Sequence, residues 1–128
     1  MSKSLRDEAQ DASTRSHSPY SKAKVGAAVL TDNGIVFKGC NVENASYGGT
    51  VCAERVAIWK AVSEGHKHMK KIYVYTKDGW PPCGMCLQVM TEFSGPDLEV
   101  TFGDEAGKET TKKLKELLTH SFTPEHLK

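Results

Sequence analysis

Leu5, Ala9 and Ala12 recur three or four positions apart in a polar stretch, a spacing that predicts a helix over 3–16. Ser18-Pro19-Tyr20-Ser21 ends it. Small and β-branched residues over 24–31, the turn signal Asp32-Asn33-Gly34 and a second β-compatible run over 35–42 read as a hairpin. Gly26, Ala27 and Ala28 imply close packing on both faces of its first strand. A helix is expected over 51–64, with an apolar surface wide enough to be buried on most sides and Trp59 in the core. Ile72-Tyr73-Val74-Tyr75 predicts a third strand over 71–76. Leu87, Met90 and Phe93 share a helical stripe over 83–93, 97–102 is a fourth strand, and Leu114, Leu117 and Leu118 mark a last helix over 108–118. Helices alternating with strands give an α/β class with a mixed sheet between helical layers.

At 128 residues the chain reads as a single domain, 1–128, with no repeat or linker. Its 17 basic and 16 acidic residues leave a net charge of +1, which argues against a nucleic-acid or membrane-surface protein. No apolar run is long enough to span a membrane. The polar N-terminus lacks a signal-peptide core, so a cytosolic location is expected. Clustered cysteines in that compartment point to metal or catalysis rather than disulfides. Cys40, which has no such companion in its strand, reads as packing.

Two stretches concentrate the chemistry, Cys52-Ala53-Glu54-Arg55 and Pro82-Cys83-Gly84-Met85-Cys86. Three thiols suit Zn²⁺ and leave a fourth position for water, the hallmark of a catalytic rather than structural site. Both clusters fall near predicted helix N-termini, where the backbone dipole favours thiolate. Glu54 stands two residues after Cys52, a spacing that brings both to one space only at the first turn of a helix. A carboxylate there can move protons for a hydrolysis. Arg55 is placed to offset the charge of three thiolates. Cys83-x-x-Cys86 taken alone also fits a thioredoxin-like redox pair or a structural zinc site, and Cys52-x-Glu54 weighs against both. The five histidines show no metal-ligand spacing, and His66 and His68 read as solvated surface.

With these motifs read, the chain resembles the cytidine deaminases, in particular the short, homotetrameric, three-cysteine class. The resemblance extends to Ser18-Pro19-Tyr20-Ser21-Lys22, Val25-Gly26-Ala27-Ala28, the block from Gly39 to Gly48, and the tail from Ser121 to Leu127. It implies a three-layer α/β/α sandwich around a mixed five-stranded sheet, the fifth strand lying between Gly103 and the last helix or in the tail. It implies one Zn²⁺ per chain on Cys52, Cys83 and Cys86, with Glu54 as proton shuttle. Cytidine or 2′-deoxycytidine would lose ammonia from C4, with Asn41 and Glu43 on the sugar hydroxyls and Ala53 in the substrate site. Phe122 matches an aromatic residue that reaches a neighbouring subunit's pocket, which implies a homotetramer with shared active sites. The partner is then a free nucleoside, not nucleic acid or membrane; deaminases acting on nucleic acid are the alternative within the enzyme class, and a zinc-stabilised binding protein the alternative outside it. Three positions depart from the family pattern: Ala23 replaces an aromatic residue beside the pyrimidine, Pro81 a small polar residue, and Leu87 an arginine. Ala23 and Pro81 together raise the expectation that cytosines substituted at N4 or C5 are accepted.

Overall fold

The computed structural model describes residues 4–127. Lys3, where the first helix was expected to begin, lies outside them. Helix α1 spans Leu5–Ser13 and is capped by Ser4, whose hydroxyl accepts from the Asp7 N–H at 3.1 Å. Strands β1 (Gly26–Thr31) and β2 (Val36–Cys40) form the expected hairpin, in antiparallel register from Gly26↔Cys40 to Leu30↔Val36. Its turn needs Gly34 at φ 86°, a left-handed conformation that glycine adopts without strain. Helix α2 covers Ala53–Ser63, β3 Met69–Tyr75, α3 Gly84–Glu92, β4 Glu99–Gly103, β5 Glu109–Lys113 and α4 Leu114–Leu117.

The sheet order is β2-β1-β3-β4-β5. Only the β3–β4 pair is parallel, and α3 makes the crossover between its strands. Side chains alternate across β1. Ala27 and Val29 join Ile72, Val74 and Val100 under α2 and α3, while Ala28 joins Tyr73 and Tyr75 under α1. The result is the three-layer α/β/α arrangement. Full burial of Ile58, Ile72 and Met90 stabilises the larger layer by about 1.5–3 kcal/mol each.

Two glycines set how closely the helices sit. A Cβ on Gly26 would fall 1.8 Å from the Ala9 carbonyl oxygen of α1, and one on Gly39 2.6 Å from the Ala57 nitrogen of α2. In both cases the obstacle is helix backbone, which cannot rotate away. Gly26→Ala is therefore expected to cost about 3 kcal/mol or more of stability, read as a lower urea midpoint. An unchanged midpoint would show that α1 does not pack on β1 as described.

A polar tie secures the other end of α1. The Arg6 guanidinium donates to the Tyr73 hydroxyl and the Asp104 carbonyl, each at 2.8 Å, and Tyr73 donates to Glu109. Burial and the Glu109 carboxylate push the Tyr73 phenol up to about 12, so it remains a donor at neutral pH.

Three expectations are corrected. The helix expected over 108–118 shrinks to Leu114–Leu117, because residues 109–113 pair with β4 from Gly103↔Glu109 to Glu99↔Lys113. That strand is the fifth one, and all of its residues are exposed. With no apolar side chain it carries no period to distinguish strand from helix, and the free edge of β4 decides. Trp59 is not core; it is 44% exposed, with the Arg55 guanidinium 5.7 Å from its ring centroid. The surface of α2 is accordingly buried on one side rather than most. His66 is half-buried, its ring 5.4 Å from that of Phe37, whereas His68 is exposed as expected.

Candidate active site

Cys52 and Cys83 are the N-cap residues of α2 and α3, with extended backbone at ψ 154° and 166°. Cys86 follows in the first turn of α3 and is fully buried. Because α2 and α3 lie on the same sheet face and their N-termini converge, three thiols from two elements meet. Their sulfurs lie within 4.8 Å of one another, with Cys52 Sγ 3.8 Å from Cys83 Sγ and Cys83 Sγ 3.5 Å from Cys86 Sγ. In a tetrahedral shell with zinc–sulfur bonds of about 2.3 Å, neighbouring sulfurs stand about 3.8 Å apart. The donor set thus fits Zn²⁺ in element, number and spacing. All four cysteines are free, and Cys40 is not in the cluster.

The electrostatics favour deprotonation of Cys52 in particular. Cys52 is brought down to about 5, mainly by the hydrogen bond from Cys86 and then by those from Arg55 and Cys83, against the effect of burial. Cys86 shifts upward because it is the donor to Cys52 and is buried. Arg55 Nη2 donates to Cys52 Sγ at 3.5 Å, and Nη1 contacts Met85 Sδ at 2.9 Å. The ring of Trp59 lies against the same guanidinium. Leu87 is buried among the apolar core residues and contributes no charge.

Glu54 occupies the second position of α2 and is only 4% exposed. Its carboxyl is raised to about 7, chiefly by burial, with the Cys52 charge adding to the effect. Cys52, Glu54, Ala53 and Cys83 line one cavity of about 350 Å³, a size typical of small-molecule sites. The first-turn geometry expected from the Cys-x-Glu spacing is the geometry found.

Asn41 and Glu43 line the same cavity, and both also hold the chain around it. The Asn41 amide oxygen accepts from Val25 N–H at 3.0 Å and from the Ser16 hydroxyl, while Nδ2 donates to the Ala23 carbonyl at 2.8 Å. One amide hydrogen is left for a ligand. Glu43 accepts from the N–H groups of Tyr20 and Ser21, each at 3.1 Å, and from the Ser21 hydroxyl. The Ser21 hydroxyl is the main reason that its carboxyl lies below the usual range. A carboxylate offers about four acceptor directions, so Glu43 keeps capacity for a hydroxyl.

Phe122 does not join this cavity. It is 56% exposed and stacks on His126 with ring centroids 5.2 Å apart, while its carbonyl accepts from Gln88 at 2.7 Å. Sequence reasoning missed Thr76, Trp80 and Val74 as cavity walls. Thr76 is a buried polar residue whose hydroxyl accepts from the Trp80 N–H at 2.7 Å. Only the contact between the end of β3 and the loop before Cys83 reveals it.

If Arg55 offsets thiolate charge, Arg55→Gln is expected to weaken zinc retention by about tenfold, measured by competition with a chromogenic chelator. Wild-type retention and wild-type turnover together would remove that role.

Comparison with known proteins gives a consistent result. A family model described as the cytidine and deoxycytidylate deaminase zinc-binding region matches residues 1–102. The chain is similar to a cytidine deaminase of Halalkalibacterium halodurans, at 45% identity over 122 residues, 94% of this chain and 92% of that one. The crystal structure of cytidine deaminase from Burkholderia pseudomallei superposes with a TM-score of 0.89 at 41% identity, covering 92% of this chain and 96% of that one. That from Mycobacterium tuberculosis gives 0.82 at 36% identity, covering 93% and 94%.

Proposed function

From the premise that the chain belongs to the cytidine and deoxycytidylate deaminase family, we propose that it hydrolyses free cytidine and 2′-deoxycytidine to the corresponding uridines and ammonia. The observation that carries this reading is the meeting of three thiols beside a buried carboxyl, with Cys52, Cys83 and Glu54 lining one cavity of nucleoside size. Cys52, Cys83 and Cys86 would hold Zn²⁺, which would supply the Lewis acidity that makes water nucleophilic near neutral pH. Glu54 takes a proton from the attacking water and delivers it to the departing amine. Its burial keeps the carboxyl close to the point of exchange in both directions. Asn41 and Glu43 bind the sugar hydroxyls with the capacity that their internal hydrogen bonds leave over, and fix how deep the base enters. Ala53, fully buried at the start of α2, forms the cavity floor beside Glu54. Arg55 draws charge from the Cys52 thiolate.

The active assembly in this reading is a cytosolic homotetramer in which Phe122 leaves its own chain to complete a neighbour's pocket; the exposure of its ring supports this. Among the described residues, no helix is long and apolar enough to cross a membrane. The near-neutral charge favours a free nucleoside over a polynucleotide. Around the base, the departures from the family pattern at Ala23 and Pro81 favour tolerance of substituents at N4 or C5.

The test is to incubate the purified protein with cytidine and, separately, with a cytosine-containing single-stranded oligonucleotide, following the ultraviolet change on loss of the amine. Turnover of the nucleoside alone is expected, and a chelator should abolish it. Turnover of the oligonucleotide alone would move the assignment to nucleic acid.

A further inference from the structure

A second cavity, of about 410 Å³, adjoins the catalytic one. The two share Ser21, Ala23, Thr76 and Trp80 as walls, so they lie side by side with the methyl group of Ala23 at their common border. The second cavity is lined by Ser13 of α1, Tyr75 at the end of β3, and the 77–78 loop.

Ala23 is held at this border by local hydrogen bonds. The Ala23 carbonyl accepts from Asn41 at 2.8 Å, and its N–H donates to the Ser21 hydroxyl at 3.0 Å. Lys22, at φ 65°, fixes the chain direction just before it. The opposite border, Thr76 and Trp80, is joined by the hydrogen bond between them and leads directly into Pro81, Pro82 and Cys83.

This location decides which part of a substrate can enter. The reacting carbon must stand by Glu54 and the cysteine cluster. The sugar, on the opposite side of the ring, points to Asn41 and Glu43. The exocyclic nitrogen on the reacting carbon is then next to the 76–83 wall, whose Thr76 and Trp80 also line the second cavity. We propose that the second cavity receives a substituent carried on that nitrogen, so that the protein deaminates N4-acyl and N4-alkyl cytidines, with Ala23 as the residue that sets this specificity. The proposal rests on the deaminase reading above. The chemistry balances without any further reactant: water adds its oxygen to C4, one of its protons goes to N3 and the other to the leaving nitrogen as the C4–N4 bond breaks, and uridine leaves with a carboxamide or a primary amine in place of ammonia.

The lining combines the rings of Tyr75 and Trp80 with three lysines, at 22, 24 and 77, and two acids, Asp78 and Glu105. A volume of this order accepts an aromatic ring with room for water.

The experiment compares kcat/KM on cytidine, N4-acetylcytidine and N4-benzoylcytidine for the protein as purified, with uridine and the released amide both quantified. Turnover of the N4-acyl substrates within about tenfold of cytidine is expected. Ala23→Phe should lower the ratio of N4-benzoylcytidine to cytidine activity by at least about tenfold. Lys24→Trp, which alters the second cavity alone, should lower the same ratio. Normal cytidine turnover with no attack on either N4-acyl substrate would overturn the proposal and leave the deaminase reading intact, as would N4-acyl turnover whose ratio neither variant changes. Failure on all three substrates by zinc-loaded protein would overturn the deaminase reading itself.

Discussion

Replacing Glu54 with Gln is expected to lower kcat on cytidine by about 10³-fold while zinc content stays at one ion per chain. The amide keeps the shape of the side chain and its place at the first turn of α2, but it neither takes nor gives a proton. General acid–base groups contribute about 10²–10⁴-fold to a rate, and in the proposed reaction this carboxyl performs both proton transfers. The expected separation of effects follows from position. Glu54 is buried beside the thiol cluster but is not one of the three sulfur ligands. KM should change little if the sugar is held at the other end of the cavity by Asn41 and Glu43. A variant that kept more than a tenth of wild-type kcat would exclude Glu54 as the proton carrier. One that lost its zinc would show that the residue supports the metal site rather than the chemistry.

The second large effect concerns the metal ligands. Cys83 is the exposed member of the cluster, so Cys83→Ala removes a ligand with little loss of packing. Any large loss of stability in that variant therefore reports on zinc. A site held at a hundred times its Kd adds about 2.7 kcal/mol to the folded state. For a domain of this size that corresponds to roughly 10 °C in the thermal midpoint. Cys83→Ala should thus lose its zinc, fall to background activity, and melt about 10 °C below the wild type. Chelator should lower the wild-type midpoint to the same value and leave the variant's unchanged. Equal midpoints for wild type and variant, with full zinc in both, would contradict the ligand assignment. Cys86→Ala is less informative, because Cys86 is fully buried and its loss also opens the core.

Those residues were legible in the sequence for a physical reason. A metal site needs particular donor atoms, and local chain geometry restricts their spacing, so Cys52-x-Glu54 and Cys83-x-x-Cys86 carry their arrangement with them. The hairpin was legible because Asp32-Asn33-Gly34 meets a backbone requirement at Gly34. Strand β5 was not, because Glu109-Thr110-Thr111-Lys112-Lys113 has no apolar face and becomes a strand only through the free edge of β4. Trp59 was misplaced because its hydrophobicity says nothing of which side of α2 it occupies; its partner is the cation of Arg55. Asn41 and Glu43 were read as ligand groups, yet the structure gives each a second task in bracing residues 16–25. The second cavity beside Ala23 lies furthest from sequence reasoning. The alanine was visible as a departure from the family pattern, but the space beyond it depends on Ser13, Tyr75 and Thr76, which come together only in the fold.

The most direct test of the zinc-deaminase account is a metal titration of chelator-stripped protein kept reduced, with cytidine turnover followed at each addition. Activity should rise in proportion to bound zinc and level off at one ion per chain, with Cys52, Cys83 and Cys86 protected from alkylation over the same range. Full turnover by zinc-free protein, or saturation at one zinc per chain with no turnover of cytidine, would contradict it.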